Sequence, residues 1–287
     1  MATLENPLSA LDLLDTIEAR RLLGPEDRMP AAHRGPHRLS RRGWLNFTER
    51  LERREEISAV LAALTGSRAV LDVGGGTGEL TRAIAAKVER CATVEPHRDR
   101  VETLRTGSAT IQALPGRAEE LPFPGRSFDA IMAAWVLPYV DDLVRAVQEM
   151  IRVCDETDPA ARIVLIGGGQ DNELVSLLNQ ACVPLAGEPH DHQGFLLATA
   201  ARILAQSGFP RLTVWRTESA LHFSESSLDQ RVAAAAAVLV DFWYEGHPRA
   251  DDMNAALRPA LCRHFAQRPH AIGDQGVVLI ARPEVRS

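Results

Sequence analysis

The residues best placed to do chemistry form the run Val70-Leu71-Asp72-Val73-Gly74-Gly75-Gly76-Thr77-Gly78. An apolar stretch delivers a carboxylate and then glycines, and a helical pattern opens directly behind them at Glu79-Leu80. Glycine is needed where backbone must pass close to a ligand, and where φ is positive. Glu95 closes the next apolar run, twenty-three residues after Asp72, where an acidic side chain accepts hydrogen bonds from two ribose hydroxyls. Together the two features describe a site for an adenosine-containing cofactor. A dinucleotide loop takes the spacing G-x-G-x-x-G, whereas here the third glycine comes one residue early, at Gly78, and Glu79 fills the expected place. Asp72 would repel a pyrophosphate, while sulfonium and ammonium cations are drawn to a carboxylate.

Three further motifs follow: Pro115-Gly116-Arg117-Ala118-Glu119-Glu120-Leu121-Pro122-Phe123, Ser127-Phe128-Asp129-Ala130-Ile131 and Glu149-Met150-Ile151-Arg152-Val153. With the glycine loop they make the segment from about Ala69 to Leu165 resemble the ubiquinone-methyltransferase-like branch of the class I S-adenosylmethionine (SAM)-dependent methyltransferases. The resemblance implies a Rossmann-like α/β fold, SAM as cofactor and S-adenosylhomocysteine as product. It implies that Asp72 and Gly74, Gly75, Gly76 and Gly78 lie near the methionine part of the cofactor, and that Glu95 with Pro96 lies at the ribose. Ala118 and Glu119 are placed near the adenine, and Ala134, Trp135 and Val136 near the thioether. Trp44 either closes over the cofactor, as residues before the core do in related enzymes, or anchors a helix. Two departures stand out. Arg117 replaces the family's usual Asp, leaving the adenine contact to Glu119 or backbone, and Cys154-Asp155-Glu156-Thr157-Asp158-Pro159 replaces a Pro-Gly-Gly turn.

These residues need elements to hold them. Short apolar runs alternate with helical stretches from Arg68 onward, the signature of βαβ units and a parallel sheet. Strands are expected near 68–73, 91–95, 109–114, 128–134, 161–167, 211–218 and 275–282, and helices over 78–88, 97–106, 141–153, 172–186 and 194–207. The predicted architecture is a seven-stranded, mostly parallel sheet with helices on both faces plus helical lid elements. Helical apolar spacing covers 8–23 up to Gly24-Pro25, a basic stretch from Arg28 to Arg42 reads as a loop, and a second helix is expected over Trp44 to Leu64. Two helical patterns separated by Gly246-His247-Pro248 lie between the last two strands. The expected division is an N-terminal helical lid (1–64), a SAM-binding core (65–225), a helical substrate cap (226–267) and the last core strand (268–287).

An apolar fraction of 45% suits a buried core, and a net charge of −6 argues against a nucleic-acid-coated surface. The four cysteines form no metal-ligand spacing, no metal is expected, and a reducing cytoplasm is the expected location. No leader or membrane-spanning run is read. His190 and His192 are the base candidates, with a pair of surface histidines as the alternative. Tyr139, Trp243, Tyr244 and His247 are candidates to touch substrate, with core packing as the alternative for the aromatics. Asp171-Asn172 suggests a magnesium site, but Ala134 stands where its other carboxylate would be, and Asp171 reads better as a helix cap. The expected function is N- or O-methylation of a small molecule, plausibly in specialised metabolism, mainly by proximity. The alternatives are an RNA methyltransferase using the basic segment and a non-methylating SAM-binding protein. A homo-oligomer stays open.

Overall fold

The computed structural model describes residues 17–24, 41–188, 190 and 194–284. Most of the expected first helix and nearly all of the basic stretch, together with His192, lie outside them. The described elements run α1 (Ile17–Leu23), α2 (Arg41–Thr48), β1 (Leu51–Glu52), α3 (Arg54–Ala63), β2 (Ala69–Val73), α4 (Glu79–Ala85), β3 (Arg90–Glu95), α5 (Arg98–Gly107), β4 (Ile111–Pro115) and β5 (Ala130–Ala134). After a 3-10 turn at Leu137–Tyr139 come α6 (Leu143–Val153), β6 (Arg162–Gly168), α7 (Glu173–Ala181), α8 (Val183–Ala186), α9 (Gly194–Gln206), β7 (Arg211–Thr217) and β8 (Ala220–His222). The chain closes with α10 (Leu228–Trp243), α11 (Ala250–Gln267), β9 (Ala271–Gly273) and β10 (Gly276–Arg282).

Seven strands form one sheet in the order β4-β3-β2-β5-β6-β10-β7, parallel except that β10 runs against both β6 and β7. All seven expected strands are present, each within about two residues at its ends. Alternation along each strand sorts the core into two layers. Leu71, Val73, Ile131, Ala133, Ile163 and Leu165 share one layer with α6 and α9, while Val70, Ala130, Met132, Val164 and Ile166 share the other with α3 and α4. Asp72, in register with the second set, is thereby carried under α4.

A further buried cluster lies apart from these layers. It joins α7, α10 and α11 to Phe47, Leu221, Phe223 and Ile272, so the helices of the expected cap share their core with residues from four other places in the chain. Ser227 caps α10, its side chain accepting from the backbone N–H of Gln230 and the Gln230 side chain accepting in return.

The single helix expected over Trp44 to Leu64 is two helices separated by β1, and this expectation was wrong. Leu51 and Glu52 pair with Leu221 and Ala220 in a small antiparallel sheet, β1-β8-β9, that the sequence analysis missed. Pairing with β8 overrides helical propensity there, and strands of two or three residues leave no readable alternation. The helix expected over 172–186 is likewise two, α7 and α8. Its N-cap is Asn172, whose Oδ1 accepts from the Val175 N–H at 3.0 Å, and not Asp171, which pairs with Arg216.

Asp129 ties the sheet together at its lower edge. Its buried carboxylate accepts from the backbone N–H groups of Arg68 at 2.7 Å and Ala69 at 3.2 Å, where β2 begins. Asp129→Ala leaves those donors unpaired and is expected to lower stability by about 2–3 kcal/mol, read as a lower urea midpoint at unchanged slope.

A cofactor cradle and an acceptor wall in one cavity

Strand order reverses direction between β2 and β5, and an open α/β sheet binds ligands in the crevice outside its strand ends at that point. A cavity of about 360 Å³ lies there. Its floor is the loop from Gly74 to Thr77. A Cβ on Gly75 would lie 2.2 Å from Thr93 Oγ1 on β3, and Gly76 holds φ at +54° with the Trp44 ring 3.6 Å from where its Cβ would be. Any side chain at Gly75 would push the loop off the sheet, and one at Gly76 would grow toward Trp44.

Carboxylates gather around this floor. Asp72 is buried, with Thr81 Oγ1 donating to its Oδ2 at 2.5 Å, and burial pushes its pKa up to about 7 against the pull of that hydrogen bond. Glu95 accepts from the Gly76 N–H through Oε2 and from the His97 N–H through Oε1, both at 3.1 Å, with Arg100 at 3.6 Å. Each carboxylate oxygen has a second lone pair, so these contacts aim Glu95 without exhausting it.

Trp135 follows β5 with φ at +57°, a left-handed conformation that costs a non-glycine residue roughly 1–2 kcal/mol. Its indole Nε1 donates to Glu56 Oε2 at 2.8 Å. Glu56 is fully buried, and burial raises its pKa to about 7, with Arg53 3.8 Å from its other oxygen. Helix α3 thus reaches through the layer to fix an aromatic ring at the cavity.

The far wall is aromatic. Phe47 and Phe242 stack with centroids 4.1 Å apart, Phe242 meets Trp243 at 4.3 Å, and Trp44 stacks on Phe242 at 6.1 Å. The Arg100 guanidinium sits 4.7 Å over the Trp44 ring. Trp44 Nε1 is buried with no hydrogen-bond partner among the described residues. A buried donor of this kind is a place for an acceptor from outside the chain.

Of the residues named from sequence, Asp72, Gly74, Gly75, Gly76, Glu95, Pro96, Ala134, Trp135, Val136, Trp44, Tyr139 and Trp243 line the cavity. Others sit elsewhere, for physical reasons. Gly78 caps α4, and a Cβ there would strike Leu104 at 2.3 Å, so its lack of a side chain serves packing against α5. Ala118 is buried in the core, and Glu119 turns to the Asp141 N–H at 2.7 Å and to Arg117 at 3.5 Å. Arg117 lines the cavity in their stead. Tyr244 is buried in the cluster of α7, α10 and α11, donating to Glu188 at 3.2 Å, and His247 accepts from the Arg249 N–H at the head of α11. His190 is exposed and outside the cavity. Sequence reasoning missed Phe47, Arg53, Arg100, Phe242 and Asp274. The signal for Asp274 was available only as a carboxylate just before a strand.

These features fit SAM. The loop leaves room beside backbone where a Cβ would intrude, two carboxylates face a ligand with cationic and ribose groups, and an unsatisfied donor stands on the opposite wall. Gly76→Arg fills the floor and is expected to weaken SAM binding at least about 100-fold by calorimetry, ~2.8 kcal/mol, with an unchanged circular dichroism spectrum.

Asp72, Glu56 and Asp274 also set a pH dependence. Burial raises all three, Asp274 to about 6, so between roughly pH 4 and 7 the folded state holds more protons than the unfolded one. Stability therefore falls as pH rises through that window. The carboxylates held low by arginines, such as Glu149 beside Arg152, act in the opposite sense only on acidification below the ordinary carboxylate range. The melting temperature of the ligand-free protein is expected to drop between pH 5 and 8, and to drop less in Asp72→Asn.

Residues 71–157 match the model of a methyltransferase domain. A methyltransferase of Mycobacterium bovis is 34% identical over 108 residues, which are 38% of this chain and 43% of that one, so the chain spans less than half the length of that relative. The ubiquinone/menaquinone biosynthesis C-methyltransferase UbiE of Pseudomonas savastanoi is 29% identical over 207 residues, 62% of this chain and 74% of its own. The solved structure of the YcgJ protein from Bacillus subtilis superposes with a TM-score of 0.52 at 17% identity, covering 80% of this chain and 98% of that one. Residues 71–157 are thus similar to a methyltransferase domain, and the sheet order with its glycine loop is the Rossmann-like fold that the chain shares with the solved YcgJ structure.

Proposed function

We propose that the protein methylates a nitrogen or oxygen atom of a small molecule, the kind of acceptor found in specialised metabolism, using SAM. The observation that carries this reading is the continuity of one cavity from the glycine loop to the aromatic wall of Phe47, Phe242 and Trp243. One end suits the cofactor, and the other suits an apolar body that would be held against it. When bound, SAM supplies an electrophilic methyl group on a positively charged sulfur.

The chain's own residues would do the rest by placement. The Gly74–Gly76 backbone and Asp72 would hold the methionine part, Glu95 the ribose hydroxyls, and Trp135 and Val136 the region of the transferring methyl. Holding two reactants in line supplies roughly 7–11 kcal/mol of barrier reduction without covalent help from the protein. The cap and α2 close the cavity with aromatic rings, which excludes the water that would compete with the acceptor. At about 360 Å³ the whole cavity lies within the range of small-ligand sites.

The test is transfer of labelled methyl from SAM to a fractionated small-metabolite extract and, in parallel, to total RNA. Label is expected in a small-molecule fraction. Label confined to RNA, or none in either with SAM binding established by calorimetry, would overturn the small-molecule reading.

A further inference from the structure

Among the described residues that line the cavity, Asp274 is the one carboxylate not carried by β2, β3 or the start of α4. It lies between β9 and β10, where antiparallel β10 begins beside the carboxyl end of β6. It is 7% exposed, and it lines the same cavity as Trp135, Tyr139, Val175, Phe242 and Trp243. Its Oδ1 accepts from Asn172 Nδ2 at 2.7 Å, which locks the carboxyl plane to the head of α7. Its Oδ2 has no hydrogen-bond partner, and no cation lies within ion-pair distance of it, among the described residues. Arg53, the cation that faces this region, is engaged by Glu79 at 3.3 Å and Glu56 at 3.8 Å. A buried carboxylate with one satisfied and one open oxygen, in a cavity it shares with the rings of Trp135, Tyr139, Phe242 and Trp243, is a built site for a single polar group on an apolar body.

Resting on the reading above, we propose that Asp274 anchors the accepting atom, and that the acceptor is an amine carried on an aromatic or otherwise flat apolar skeleton. The open Oδ2 takes one proton from the bound ammonium, freeing the nitrogen lone pair. That lone pair forms the new N–C bond as the C–S bond breaks with its electrons to sulfur, so the positive charge passes from sulfur to nitrogen. The carboxylate's charge acts before this step, when it binds and orients the ammonium; once it holds the proton, Asp274 is neutral and the new positive charge rests on the product ammonium. An alcohol brings no charge for the carboxylate to bind, and it yields a neutral ether only after giving up a proton it holds more tightly. Burial raises the Asp274 pKa to about 6, with Asn172 and Arg53 opposing, which makes it a better proton acceptor than an exposed aspartate while leaving it mostly ionised at neutral pH.

The full chain saturated with S-adenosylhomocysteine is titrated with phenethylamine and with 2-phenylethanol, following tryptophan fluorescence, since Trp44, Trp135 and Trp243 all line the cavity. The wild type is expected to bind the amine at least about 10-fold more tightly than the alcohol, ~1.4 kcal/mol. In Asp274→Asn, which keeps the shape and an acceptor for Asn172, the preference should vanish while S-adenosylhomocysteine affinity stays within about twofold. In the wild type the preference should fade from pH 8 to pH 5 as Oδ2 is protonated, although Arg53 from the start of α3, Glu56 and Tyr139 also face this space. That pH dependence should be absent in Asp274→Asn. A wild type without preference for the amine, or a preference that survives in Asp274→Asn, overturns the proposal. Failure of S-adenosylhomocysteine to bind the wild type overturns the cofactor reading beneath it, a result separable from the other two.

Discussion

The structure depends on how closely backbone can approach the top of β2. With less than the width of a carbon atom to spare between Gly75 and Thr93, the chain leaves the sheet lying flat on β3, and α4 starts in the one direction this allows. That turn sets the floor of the cavity. It also brings Thr81 of α4 over Asp72, so the helix that follows the loop is the helix that holds the loop's carboxylate. Moving the loop outward would lose the floor and the carboxylate's orientation together.

Burying carboxylates around such a floor is costly, and the chain accepts the cost three times. Asp72, Glu56 and Asp274 are all removed from water with few cations to balance them, Arg53 being shared between Glu56 and Glu79. Each is held by a neutral donor instead: Thr81, Trp135 and Asn172 respectively. Neutral donors orient a carboxylate without cancelling its charge, which leaves the field available to a cationic ligand. The instability that results belongs to the unliganded protein, and a bound cation would relieve it.

The aromatic wall answers a different constraint. No sheet strand can reach across its own crevice, so the covering must come from segments outside the sheet. Here α2 contributes Trp44 and Phe47, and α10 contributes Phe242 and Trp243, with the three short strands β1, β8 and β9 clipping the beginning, middle and end of the chain together. The rings pack on one another, so the wall is one unit although its residues are nearly two hundred positions apart.

The parallel core and the glycine-loop floor of the cavity were legible in the sequence because both follow from local rules. Alternation and apolar runs located every strand of the large sheet, and a run of glycines after an apolar strand has few structural uses besides close approach of backbone to a ligand. The opposite side of the cavity was not legible in the same way. His190, Tyr244 and His247 were plausible by residue type, yet His190 faces solvent, and the other two serve the cap's own packing and helix start. Phe47 carried no local mark, and Asp274 none beyond a carboxylate just before a strand. Their place in the cavity comes from antiparallel β10, which brings the end of the chain back between β6 and β7, and from a pairing of β1 with β8 too short to leave a pattern. Residue type and spacing determine what lies within a turn or a strand of itself, whereas which side chains meet across the crevice is settled by long-range burial of the cap's core, and only the tertiary structure decides that.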